Sequence, residues 1–264
     1  MAPDSWSPPQ YERFREERAQ PFRDLLDLVR PGPDLRVVDL GCGTGELTAE
    51  LHARLGARTT LGIDNSAAML AGSARHAGPS LRFESGDIAD FSADGSFDLV
   101  FANASLQWIP EHERLIPRLA AALAPGGQLA IQVPANQDQP SHVVGEELAR
   151  EEPFATALAG TRPTPNNVLR PEEYAALLDR LGFAEQHVRL QVYGHRLACR
   201  DEVVEWVRGT YLTGFQSRLS TDVFDEFLAR YRERLLPRLA DTRPYFYPFK
   251  RILIWARRPA EARS

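Results

Sequence analysis

The chain has 264 residues, and 43% apolar with 25% charged residues is the composition of an ordinary globular protein. A formal charge of −5 leaves no basic field to gather nucleic acid, and two isolated cysteines suggest neither a disulfide framework nor a zinc site. No stretch is long and apolar enough to span a membrane, and the first ten residues lack a secretion pattern, so the expectation is a soluble cytoplasmic protein without metal or membrane partner.

Strand-like and helix-like stretches alternate through the first half. Tyr11 to Val29 has helical spacing at Leu25, Leu26 and Val29, and breaks at Pro31-Gly32-Pro33. Buried parallel strands are predicted at 36–40, 59–63, 97–102 and 128–133, with a weaker one at 81–83. Helices are predicted at 46–54, 67–75 and 113–123, the last stopped by Pro125-Gly126-Gly127. This alternation is that of a doubly wound α/β sheet. From 137 to 171 the chain is rich in Pro, Asn, Thr and acidic residues, a partly helical insertion. A helix follows, with Pro171 at its start and Gly182 at its end. An alternating strand at 184–195, helices at 201–208 and 221–236, and a last strand, "FKRILIWARR", complete the chain.

The densest signal is "RVVDLGCGTGE", Arg36 to Glu46. Asp39 is expected to end the first strand, and Gly41, Gly43 and Gly45 follow at alternate positions, where a ligand can approach the backbone closely. A dinucleotide turn has the longer G-x-G-x-x-G spacing and meets a diphosphate, which a carboxylate would repel. A carboxylate instead favours the ammonium of an amino acid or a sulfonium. The turn therefore points to S-adenosylmethionine (S-adenosyl-L-methionine), with Asp39, Gly41, Cys42 and Gly43 around it.

Three later strand ends agree. Asp64 ends the second strand, 25 residues after Asp39, where a carboxylate accepts from ribose hydroxyls; Asn65 or Ser66 caps the next helix and Met69 meets the adenine face. Asp87, followed by Ile88, is placed to accept from the adenine amino group. "FANASLQW" carries Asn103, Ser105 and Trp108 off the fourth strand at the sheet's carboxyl edge.

This order resembles the class I S-adenosylmethionine-dependent methyltransferases. A closer resemblance is to the trans-aconitate 2-methyltransferase family, carried by "WSPPQYERFREERAQPFRDLL", "GIDNSAAML", "FANASLQWIPEH", "LAIQVPANQDQPSH", "EWVRGTYL" and "FKRILIWARR". It implies a Rossmann-like seven-stranded sheet with its last strand antiparallel and a helical cap insertion. Residues 1–30 then form an N-terminal lid and first helix, and 31–134 the cofactor-binding core. Residues 135–170 form the insertion, 171–198 the return to the core, 199–244 the helical cap, and 245–264 the final strand and tail. The resemblance also places His142, in "QPSH", as a base or substrate contact.

The acceptor is expected to be a small molecule, with the enzyme a monomer or homodimer. A carboxylate acceptor is ionised at neutral pH and needs no base, whereas a phenol or amine would call on His142, His112 or Tyr11. Against the family pattern, Tyr211 and Thr213 stand where a glycine and an arginine are expected, and Gln20 replaces an arginine. Those changes, with the aromatic Tyr245, Phe246 and Tyr247, point to an acid or specialised metabolite with an aromatic or apolar part. True trans-aconitate methylation is the alternative, and a non-methylating binder of the same cofactor a further one. Tyr11, Arg18, Trp108, His142, Tyr211 and Tyr247 are the expected substrate contacts.

Overall fold

The structure, a computed structural model, describes residues 15–160 and 167–260, with side chains of the first helix from Ala19 onward. Tyr11 and the side chain of Arg18 lie outside the described residues. The strands are β1 Arg36–Leu40, β2 Thr59–Asp64, β3 Leu81–Ser85, β4 Phe97–Asn103, β5 Leu123–Pro134, β6 Glu185–Leu197 and β7 Tyr245–Arg257. They form one seven-stranded sheet in the order β3-β2-β1-β4-β5-β7-β6. The pairs β1–β2, β1–β4, β2–β3 and β4–β5 are parallel, and β7 runs antiparallel to β5. The fold expected from the sequence is therefore the fold observed. The strand order reverses between β1 and β4, the place where ligands sit in open α/β sheets.

The helices are α1 Arg15–Leu26, α2 Glu46–Leu55, α3 Ala67–Ser73, α4 His112–Ala121, α5 Pro140–Leu148, α6 Phe154–Ala157, α7 Pro171–Arg180, α8 Glu202–Arg208, α9 Thr213–Gln216 and α10 Thr221–Leu235. β1 and β4 read as continuous apolar runs because their centres are covered on both faces: Val37, Val38 and Leu99 to Ala102 are all buried. α1 packs Phe22 edge-on to Phe101 of β4, ring centroids 5.3 Å apart, and buries Leu25 beside it.

One stop signal misleads. The helix expected to run to 123 ends at Ala121, and β5 already starts at Leu123, ahead of Pro125-Gly126-Gly127. Its pairing with β4 jumps from Phe97↔Leu123 to Leu99↔Gln128, so the Pro-Gly-Gly stretch is a bulge within the strand. Gly126 supplies the positive φ, +74°, and donates its N–H to Pro259 O at 2.8 Å. β1 covers the predicted range, Arg36–Leu40, so Asp39 is its last residue but one.

The described chain divides into two compact units, 16–134 with 167–191 and 251–260, and 135–160 with 192–250. The first is the α/β unit. The second is a largely helical unit with its own aromatic core, in which Phe227 stacks on Phe215 at 4.8 Å and meets Phe154 edge-on at 5.0 Å. No helix among the described residues is long and apolar enough to cross a membrane, and no cluster of His, Cys, Asp or Glu there could hold a metal ion.

Candidate active site

The turn after β1 is built in two ways. Gly41, Gly43 and Gly45 have φ of +84°, +55° and +76°. A Cβ on Gly41 would lie 2.3 Å from Cβ of Ser105, and one on Gly45 would lie 2.8 Å from Phe83 and Ser73. A Cβ on Gly43 would meet nothing within 4 Å. The outer glycines are demanded by the protein itself, whereas the middle one faces open space, the cradle a bound cofactor needs.

Asp64 fastens this turn to the end of β2. Its Oδ2 accepts from the Gly43 N–H and its Oδ1 from the Ser66 N–H, both at 2.9 Å. Each carboxylate oxygen keeps acceptor capacity for a ribose hydroxyl. Ser66 caps α3 by accepting from the Met69 N–H at 3.2 Å; Asn65 is exposed and Met69 buried. Asp87, exposed, closes a local turn by accepting from the Ala89 N–H at 2.8 Å, and Ile88 is buried beside it.

The loop after β4 is tied to the same turn. Ser105 Oγ donates to Leu40 O at 2.6 Å, holding the end of β4 against the end of β1. Asn103 Oδ1 is buried without a hydrogen-bond partner, and Trp108 is exposed. His112, weighed above as a base, is occupied at both ring nitrogens. Its Nε2–H donates to Leu106 O at 2.8 Å and its Nδ1 accepts from Tyr174 Oη at 2.5 Å. Burial holds its imidazole below the ordinary value, so it stays neutral and braces the loop.

Asp39 is buried and accepts from Thr48 Oγ1 at 2.6 Å. Burial pushes its carboxyl up to about 7; the Thr48 hydrogen bond pulls it down and the charge of Asp64 pushes it further up. A carboxyl raised above its unfolded value stabilises the fold fully below that value, 3.8, and the contribution is lost as pH rises through about 7. The unliganded protein is therefore expected to lose thermal stability between about pH 4 and 7. Asp39→Asn should flatten that slope in melting curves, and an equally steep slope in the variant would assign it to another group. Thr48 carries no sequence signal of its role, because it lies on α2 with no motif marking it.

In the helical unit, His142 lies near the start of α5. Its ring packs on Tyr211 at 4.3 Å, and Ser141 Oγ lies 3.2 Å from its Nδ1. Tyr247 Oη is 3.3 Å from the same Ser141 Oγ, and Tyr231 Oη donates to Ser141 O at 2.6 Å. Burial pushes the imidazole down to about 4, Asp138 opposing and Lys250 adding to the shift. Tyr211 donates its hydroxyl to His142 O at 3.0 Å, and Thr213 donates to Thr210 O at 2.5 Å. The two residues that depart from the family pattern thus direct these hydroxyl bonds to their own unit's backbone. Ser141 went unread in the sequence, although "QPSH" places it beside His142.

The described residues fit the cofactor that the turn implies: an open glycine cradle, a strand-end carboxylate beside it and an unpartnered acceptor at Asn103. A family model described as a methyltransferase domain matches residues 37–127, the segment that holds these features. The trans-aconitate 2-methyltransferase of Deinococcus radiodurans is 45% identical, over 97% of this chain and 99% of that protein. That of Methylobacterium nodulans is 43% identical, over 96% and 98%. Among solved structures, the YcgJ protein of Bacillus subtilis shares the fold at a TM-score of 0.60 and 14% identity, covering 91% of this chain and 99% of that one. Phosphoethanolamine N-methyltransferase 2 of Haemonchus contortus, in complex with S-adenosyl-L-methionine, matches at 0.54 and 19%, covering 91% of this chain and 52% of that one. The chain is an S-adenosylmethionine-dependent methyltransferase and belongs to the trans-aconitate 2-methyltransferase family.

Proposed function

We propose that the enzyme methylates a small carboxylic acid carrying an apolar or aromatic part, on a carboxylate oxygen. The observation that carries this is the interior of the helical unit. Among its described residues the buried polar side chains are Asn136, Ser141, His195 and Thr213, with no buried arginine or lysine, set among many aromatic rings. A tricarboxylate calls for converging cations. The second reading, trans-aconitate itself, is favoured by the names of the relatives.

When bound, S-adenosylmethionine supplies an electrophilic methyl group on a sulfonium. In this reading Asp64 holds the ribose, and the Gly41–Gly45 turn lets the backbone approach the cofactor. Asp39, Cys42, Asn65, Met69, Asp87, Ile88, Asn103 and Ser105 complete the cofactor site. A carboxylate acceptor is already ionised, so no side chain need remove a proton, and positioning carries the catalysis. His142, neutral at ordinary pH and accepting from Ser141 at Nδ1, then has its Nε2–H to donate to the acceptor. Trp108, Tyr211 and Tyr247 would supply its apolar surroundings, and Tyr11 and Arg18 further contacts. Residues 1–30 act as the lid and 135–170 with 199–244 as the cap; the enzyme works in the cytoplasm as a monomer or homodimer, without nucleic acid.

The test is turnover of a panel containing trans-aconitate, cinnamate, a phenol and an amine, read by mass spectrometry for a product heavier by one CH2. A base-labile ester formed faster from cinnamate than from trans-aconitate is the expected result. Preference for trans-aconitate would establish the second reading, and methylation of the phenol or amine alone would overturn both.

A further inference from the structure

Three buried side-chain polar atoms without a hydrogen-bond partner lie at or just past the carboxyl ends of β4 and β5. Asn103 Oδ1 ends β4, Gln107 Oε1 follows in the next loop, and Gln132 Nε2 lies near the end of β5. Asn103 and Gln132 are direct partners in the β4–β5 register. A buried unsatisfied polar group costs about 1–3 kcal/mol, and a ligand that satisfies it recovers that cost. The orphans also differ in sense: Asn103 presents an acceptor, suited to a cation, and Gln132 a donor, suited to an anion.

Gln132 is fully buried and its other amide atom is already fixed. Arg251 of β7 donates Nη1 to Gln132 Oε1 at 3.1 Å, which leaves Nε2 as the amide atom without a hydrogen-bond partner. Arg251, 6% exposed, is the one buried cationic side chain among the described residues.

We infer that Gln132, braced by Arg251, is a specificity-determining contact that donates from Nε2 to the carboxylate of the acceptor, while Asn103 opposite it serves the cationic cofactor. The inference rests on the carboxylic-acid reading above and holds for either acceptor named there. A donor amide beside one buried cation recognises a single carboxylate, which agrees with an acceptor otherwise apolar. The side chains covering Nε2 must shift to admit the acceptor, and the hydrogen bond gained there favours that shift.

Two full-length variants separate recognition from bracing. Gln132→Glu keeps an acceptor for Arg251 and puts an anion where the donor stood. Gln132→Met removes both functions. With trans-aconitate as probe, Gln132→Glu should raise KM by about 100-fold or more, and Gln132→Met by about 10–100-fold. S-adenosylmethionine affinity by calorimetry should stay within about twofold in both. The inference is overturned if wild type turns over trans-aconitate and both variants keep its KM. It is equally overturned if the rise in KM comes together with a loss of cofactor affinity and a lowered melting temperature, the pattern of a structural role. A wild type that methylates no carboxylic acid, cinnamate included, overturns the acceptor reading itself, and that result is visible before any variant is made.

Discussion

Replacing Asp64 with alanine is expected to weaken S-adenosylmethionine binding roughly a hundredfold or more. Two effects add. The carboxylate is proposed to accept from both ribose hydroxyls, and each hydrogen bond to a charged group is worth about 1.5–3 kcal/mol, with 1.4 kcal/mol equal to a factor of ten. The same carboxylate holds the Gly43 and Ser66 N–H groups at 2.9 Å, so its loss also frees the turn that shapes the cofactor cradle. The fold should survive, because Asp64 stands at the end of β2 and not in the core of the sheet. Calorimetry decides the point, and turnover adds a second reading. If Asp64 acts on cofactor binding, kcat should recover at saturating cofactor while the KM for cofactor stays high. An unchanged affinity would remove Asp64 from ribose recognition.

Local patterns made much of this legible. The run Val37-Val38-Asp39-Leu40 before three alternate glycines places a buried strand, a turn and a helix start in eleven residues, because each is set by neighbours in sequence. Asp64 was legible for the same reason, as the polar end of an apolar run. What was not legible depends on distance or context. Pro125-Gly126-Gly127 has the composition of a stop, and only pairing with β4 turns it into a bulge inside β5. His112 had the chemistry of a base, but Leu106 and Tyr174, the latter 62 residues away, claim both nitrogens. Gln132 and Arg251 are 119 residues apart, and nothing in either segment marks the pair. Residue type at 211 and 213 gives no sign that both hydroxyls bond the unit's own backbone, Tyr211 at His142 O and Thr213 at Thr210 O. Residue type suggests what a side chain can do, while the fold decides which groups have already claimed it.

Gly41→Ala should be strongly damaging, since the approach its methyl group would make to Ser105 is the tightest found for the described glycines. At φ +84° an L side chain is strained, by about 1–2 kcal/mol. The new Cβ would also sit 2.3 Å from Cβ of Ser105, closer than any real contact, and overpacking of that kind costs typically 1–3 kcal/mol. Ser105 cannot simply withdraw, since its Oγ holds Leu40 O at 2.6 Å and joins the ends of β1 and β4. Together these predict a loss of roughly 2–5 kcal/mol, or about 5–15 °C in melting temperature, along with loss of cofactor binding. The steric and conformational parts can be separated by a double mutant. Ser105→Gly in the Gly41→Ala background removes the clash but not the φ strain, so it should restore part of the stability, whereas Ser105→Gly alone should destabilise by losing the bond to Leu40. A Ser105→Gly effect of opposite sign in the two backgrounds would show that Gly41 is glycine first because of Ser105. If the double mutant is no more stable than Gly41→Ala, the backbone angle alone sets the cost, and the close approach of the two strand ends contributes nothing to it.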